Sequence, residues 1–144
     1  MKIFLGSDHA GFHVKEKLKK HFDKKKILYE DLGTYSIKPV DYPKYAFKVA
    51  EKVAKENAKG ILICGTGTGM EIAANKLPNI RAVVAYDPYS AKMARYDNNA
   101  NILCLRGRFF PYKKIETIVN IFLKTKFSNK PRHIKRIEEL RWKR

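Results

Sequence analysis

Three glycines alternate in Cys64-Gly65-Thr66-Gly67-Thr68-Gly69, between the apolar run Ile61-Leu62-Ile63 and a helical pattern. With no Cβ atoms in the way, successive backbone N–H groups can converge, and a helix N-terminus adds partial positive charge, so the loop suits an anion. The spacing is not a dinucleotide fingerprint: counted from Gly65 the third glycine position is Met70, and from Gly67 it is Ile72. It is not a P-loop either, because no Gly-Lys-Ser/Thr follows. The plain alternative is a tight turn. Cys64 stands at the mouth of this loop, where a thiol can act as a thiolate nucleophile or base; the usual fate of a free cysteine is a small buried hydrophobe. Cys104, inside another apolar run, carries only that second reading.

Other polar groups cluster where apolar runs stop. Gly6-Ser7-Asp8-His9-Ala10-Gly11 offers Asp8 and His9 for acid–base work. His9 and His13 are four apart, as two metal ligands on a helix would be, but no carboxylate follows in a zinc-type pattern, and His13 is expected as a helix surface residue. Tyr96-Asp97-Asn98-Asn99-Ala100-Asn101 suits a helix C-cap and turn. Arg106 and Arg108 follow one strand pattern, and Arg132, His133 and Arg136 open the last helix. Arginine favours bidentate phosphate recognition, and solvated basic surface is the plain alternative.

Apolar strand patterns alternate with amphipathic helical ones. Strands are predicted over Lys2–Gly6, Ile27–Leu32, Gly60–Cys64, Arg81–Tyr86 and Asn101–Leu105. Helices are predicted over Gly11–Lys25, Pro43–Glu56, Thr68–Lys76, Asp87 to about Asn98, Tyr112–Lys126 and about His133–Trp142. Strict alternation implies parallel strands with right-handed crossovers, hence a three-layer α/β/α doubly wound, Rossmann-like fold on a five-stranded parallel sheet. Such folds bind ligands at the carboxyl ends of the strands, and a flavodoxin-like order would set the first strand beside the third.

The 144 residues suit one domain, 1–144, and 44% hydrophobic residues with 12% aromatics exclude a disordered chain. Two cysteines build no disulfide framework, no apolar run approaches about 18 residues, and the N-terminus lacks a signal-peptide pattern, so a cytoplasmic protein is expected. The net charge of +17 points to anionic partners. From Leu105 onward there are 13 Lys/Arg against 3 Asp/Glu, so the basic end is C-terminal. A nucleic-acid-binding module, suggested by the charge and by Lys24-Lys25-Lys26, finds no helix-turn-helix, zinc-finger or RNA-recognition motif, and neither nucleic acid nor membrane is expected as a partner.

Taken together, the segments resemble the type B ribose-5-phosphate isomerase family, which includes the galactose-6-phosphate isomerase subunits. The matching stretches are Gly6–Gly11, Asp31-Leu32-Gly33-Thr34, Asp41-Tyr42-Pro43, Ile63–Gly69, Ile72-Ala73-Ala74-Asn75-Lys76, Arg81-Ala82, Asn98-Asn99-Ala100-Asn101 and Arg132-His133, in family order. The resemblance implies an aldose–ketose isomerase that interconverts ribose 5-phosphate and ribulose 5-phosphate through a cis-enediolate, without metal or cofactor. It implies Cys64 as the base between C1 and C2, the N–H groups of Gly65 through Gly69 (with Gly67 and Thr68) as the enediolate hole, and Thr66 and Asn98 on the reacting oxygens. Asp8 is then expected on substrate hydroxyls, Tyr42 in the substrate loop, and His9, Arg108, Arg132 and Arg136 on the phosphate. The last two would come from the neighbouring subunit of a homodimer or tetramer, with the basic helix of about 131–142 packing on that partner.

One residue departs from the pattern. Where most members carry the histidine credited with opening the furanose ring, this chain has Asp97. A carboxylate is ordinarily ionised at neutral pH, so it accepts a proton more readily than it gives one. The branch that uses a glutamate base has it at the position of Met70, and Glu71 is one residue off, which favours Cys64. Isomerisation of allose 6-phosphate or galactose 6-phosphate, and a degenerate phosphosugar-binding member, are the neighbouring alternatives.

Overall fold

Side chains of a strand alternate between the two faces of its sheet, and here both faces must be apolar because helices cover both. The computed structural model describes residues 2–141. The strands are β1 (Lys2–Ser7), β2 (Leu28–Asp31), β3 (Lys59–Cys64), β4 (Ala82–Val84) and β5 (Ile102–Arg106). The helices are α1 (Phe12–Lys25), α2 (Tyr42–Glu56), α3 (Thr68–Ala74), α4 (Pro88–Tyr96), α5 (Tyr112–Lys124) and α6 (Pro131–Glu139). All strand pairs are parallel, in the order β2-β1-β3-β5-β4.

Ile3, Leu5, Ile61, Ile63, Leu103 and Leu105 pack against Val14, Leu18 and Phe22 of α1, Ala91 and Ala94 of α4, and the Ile115, Ile118, Val119 and Phe122 stripe of α5. Phe4, Leu62, Ile102 and Cys104 point the other way, onto Val49, Ala50 and Val53 of α2 and Met70 and Ala74 of α3. Connections moving toward β2 therefore cross one face and those moving toward β4 cross the other, so every crossover has one hand. β1 and β3 are adjacent, as expected, and their chains leave for opposite faces, which opens a crevice between them.

The predicted elements are present, with ends that differ by a residue or a few: β1, β3 and α2 each extend by one residue, β5 shifts by one, and α1, α3, α4 and α5 are shorter. The last two strands are exchanged relative to a flavodoxin-like order. The physical reason lies in composition: Ile102-Leu103-Cys104-Leu105 is fully buried and takes the central place, whereas Ala82-Val83-Val84 is partly exposed and takes the edge. That edge strand pairs on one side only and shrinks from the predicted Arg81–Tyr86 to three residues. α6 begins at Pro131, two residues before the expected start, since Pro suits the first helical position. Its predicted end at Trp142 lies outside the described residues.

A buried ion pair ties α1 to the loop that borders the crevice. Lys15 is fully buried, with Nζ 2.6 Å from both carboxylate oxygens of Asp31, and Lys19 adds a second ammonium at 2.9 Å. Asp31 also accepts the Gly33 N–H at 2.9 Å. Gly33 and Thr34 then extend the edge of β1, Ser7 N–H donating to the Gly33 carbonyl and Thr34 N–H to the Ser7 carbonyl. Burial by itself would push the Asp31 carboxyl up; Lys15, Lys19 and the Gly33 N–H outweigh it and hold the carboxyl below its ordinary value.

Lys15→Met removes the buried partner of Asp31 but leaves Lys19 and the Gly33 N–H on the carboxylate, so it should lower the unfolding free energy in urea titrations by less than the about 3–5 kcal/mol of a fully stranded charge. Because the folded Asp31 has the lower pKa, its contribution should be complete above the unfolded value of about 3.9 and vanish as pH falls through the folded one, a loss that is smaller in Lys15→Met, where Lys19 and the Gly33 N–H remain.

Candidate active site

The three strand-to-helix loops at the carboxyl edge meet backbone to backbone. Gly107 N–H donates to the Cys64 carbonyl at 2.8 Å and Arg108 N–H to the Gly65 carbonyl at 3.2 Å. A Cβ on Gly107 would lie 2.7 Å from the Ala10 carbonyl oxygen and 3.0 Å from that of Cys64, so only glycine lets the β5 loop sit against both others. Arg108 lies over Gly65, its Nη1 3.5 Å from where a Cβ would stand.

Cys64 occupies the floor of this crevice. It faces the α2/α3 side, is buried, and its Sγ accepts the Gly67 N–H at 3.1 Å. Gly67 adopts φ +86°, which reverses the chain so that its N–H reaches back to the sulfur. Thr66 and Thr68 are exposed above it with hydroxyls 2.7 Å apart, and Tyr86 O–H donates to the Thr66 carbonyl at 2.8 Å. The Tyr42 ring covers Gly69: a Cβ there would be 2.8 Å from Cζ.

Across the crevice, Asp8 is buried and accepts the Gly11 N–H at one oxygen, at 3.1 Å. His9 Nδ1 accepts the Val40 N–H at 3.1 Å, so Nε2 is the ring atom left to donate toward a ligand. Cys104 is inert by contrast: burial pushes its thiol well above the ordinary value. Among the described residues, no three His, Cys, Asp or Glu side chains converge as metal ligands.

The structure thus gathers Asp8, His9, Tyr42, Cys64, Gly65, Thr66, Gly67, Thr68, Gly69 and Arg108 at one edge. Asp97, Asn98, Arg132 and Arg136 are elsewhere. Asp97 caps the C-terminus of α4 and Asn98 follows it in the turn entering β5. β5 alone, four residue steps or ~13 Å, separates that turn from the carboxyl edge. Arg95 holds the turn, donating from Nη1 to Asn99 Oδ1 at 2.9 Å and to the Ala100 carbonyl, while Arg81 Nε donates to the Asn99 carbonyl at 2.9 Å. α6 joins this second cluster through buried His133, whose Nε2 is 3.5 Å from Asp97 Oδ1, and leaves Arg132 and Arg136 exposed.

In the sequence His133 reads only as part of an Arg-His motif, and the support that Tyr86 gives Thr66 emerges only in the fold. Tyr86 had a faint signal, the end of a strand; the Asp97–His133 contact had none, because 36 residues separate the two.

A family model described as Ribose/Galactose Isomerase matches residues 3–140. The ribose-5-phosphate isomerase B of Escherichia coli is 41% identical over 140 residues, covering 96% of this chain and 93% of that one. The solved structure of the ribose-5-phosphate isomerase B of Clostridium thermocellum superposes with a TM-score of 0.94 at 42% identity, covering 97% of this chain and 95% of that one. That of Mycoplasma genitalium, with bound ribulose-5-phosphate, superposes with a TM-score of 0.92 at 40% identity, covering 96% and 93%.

Gly67→Ala should show how tightly the loop is determined. Alanine there would have to hold φ +86° with its Cβ 2.9 Å from Val84 Cγ2 and 3.1 Å from the Leu105 carbonyl, so thermal unfolding should register a loss of at least about 1–2 kcal/mol. A variant as stable as the parent would show that the loop relaxes freely.

Proposed function

The chain belongs to the ribose/galactose isomerase family, and on that footing we propose that it interconverts ribose 5-phosphate and ribulose 5-phosphate through a cis-enediolate. The observation that carries the reading is Cys64 Sγ lying against the Gly67 N–H on the floor of a crevice bordered by Asp8, His9 and Arg108. A proton α to a carbonyl is weakly acidic, and fixed donors for the developing oxyanion lower that barrier most. Cys64 takes the proton from one carbon and returns it to the next. The N–H groups from Gly65 to Gly69 hold the enediolate, with Thr66 and Asn98 on its oxygens. The second oxygen of Asp8 is left for substrate hydroxyls. His9 Nε2, Arg108, Arg132 and Arg136 grip the phosphate, whose binding energy orients the reacting end. The reaction is an internal proton transfer, and it calls for neither a metal nor a redox cofactor.

Asp97, Asn98, Arg132 and Arg136 cannot reach their own Cys64 across the sheet. They complete the site of a second copy, in a homodimer or a tetramer of such dimers, working in the cytoplasm. Exposed Ile134 on α6 and Leu140 at its C-cap suit that contact.

Cys64→Ala should abolish isomerisation of ribose 5-phosphate while leaving the circular dichroism spectrum intact; near-parental turnover would remove Cys64 as the base. Arg132→Ala and Arg136→Ala should each raise KM, by the equivalent of about 1.5–3 kcal/mol for one charge-assisted bond. Mixing Arg136→Ala with Cys64→Ala protein should restore up to about a quarter of parental activity, because half the dimers would be mixed and each has one intact site. Mixing Asn98→Ala with Cys64→Ala should do the same. No recovery after confirmed subunit exchange would refute sharing.

A further inference from the structure

The Asp97–His133 contact is built on the buried side and open on the other. His133 lies in the first turn of α6, buried against the edge of the Tyr96 ring, with centroids 6.2 Å apart at 77°. Its Nδ1 is 2.6 Å from Ser128 Oγ, and its Nε2 is 3.5 Å from Asp97 Oδ1. Ser128 Oγ already accepts the Lys130 N–H at 3.2 Å, so its hydroxyl hydrogen is free to be donated. One assignment then serves the buried pair: Ser128 O–H donates to Nδ1, which leaves the proton on Nε2, at 3.5 Å from Asp97 Oδ1, a distance longer than a formed hydrogen bond. Ser128 is itself anchored, its N–H donating to the Tyr96 carbonyl at 3.0 Å. Here the imidazole is enclosed while the Asp97 side chain stays 40% exposed, displayed beside Asn98.

Resting on the isomerase reading above, we propose that Asp97 opens the furanose ring and that His133 is its positioning residue, aiming the carboxylate through Nε2–H. Asp97 accepts the proton of the anomeric hydroxyl. The O–H electron pair becomes the second bond of the C1 carbonyl, and the bond from C1 to the ring oxygen breaks with its pair left on that oxygen. The ring oxygen takes the proton back from Asp97, so one proton has moved between two substrate oxygens and the carboxylate is regenerated. His133 keeps its proton throughout. Asp97 is thereby supplied with the fixed orientation that a short, isolated carboxylate lacks.

The test separates ring opening from enolisation. Ribulose 5-phosphate carries phosphate on the oxygen it would need to close a furanose, so its deuterium uptake from D2O at C1 reads enolisation alone. Conversion of ribose 5-phosphate requires both steps. The ratio of conversion to uptake should fall several-fold in His133→Ala, less than the loss of one fully formed hydrogen bond to a charged group would give, because the contact is 3.5 Å long. It should return to within about twofold in His133→Gln, whose amide N–H stands near the place of Nε2. An unchanged ratio in His133→Ala overturns the proposal, as does a ratio equally low in His133→Gln. If His133→Ala loses its circular dichroism spectrum, Ser128→Ala carries the same test, with a several-fold fall expected and an unchanged ratio overturning it. No deuterium uptake by the unmodified protein would overturn the isomerase reading, and the pair's role with it.

Discussion

A chain that lays five strands parallel must carry every return across a face of the sheet, and this sorts its loops without exception. Strand-to-helix loops gather at the carboxyl edge and helix-to-strand turns at the amino edge. The cysteine loop, the Asp8–Gly11 loop and the Arg108 loop share an address because each follows a strand. The Asp97–Asn98 turn cannot share it because that turn precedes one. The length of a strand therefore stands between the two halves of the proposed site, whatever their chemistry. A second copy is the direct way to bring them together.

Two polar networks make the halves rigid by different means. At the carboxyl edge, backbone meets backbone at Gly107, and the Lys15–Asp31 pair anchors the Gly33 turn to β1. At the amino edge, guanidinium groups hold the turn: burial depresses the pKa of Arg81 and Arg95 below the usual guanidinium value, yet their N–H groups satisfy carbonyls that the turn into β5 leaves unpaired. Part of the large positive charge thus lies inside the fold, and exposed lysines and arginines of α1, α2, α5 and α6 carry much of the rest.

Much of this was legible in the sequence. Every helix and strand was present where periodicity placed it, and the glycine loop announced itself because alternate glycines at a strand end have few other uses. The exchange of β4 and β5 was less visible, since both are short and apolar, and only their burial on two faces separates them. The division of the site could have been foreseen from topology: Asp97 ends a helix pattern and Cys64 ends a strand pattern. Motif order along the chain hid this by presenting the residues as one series. The Val40 N–H on His9 and the Ser128–His133–Asp97 arrangement depend on loop conformation and had no local signature.

The strand-length gap between the two clusters also ties the proposed catalysis to abundance. A centre assembled from opposite edges of two copies does not exist in a solitary chain, however well that chain is folded. As total protein falls below the dissociation constant of the pair, the number of working centres declines with the square of concentration, and specific activity declines with it. A cell holding little of this protein would lose flux more steeply than it loses molecules, and phosphosugar bound across the junction would resist that loss by holding the copies together.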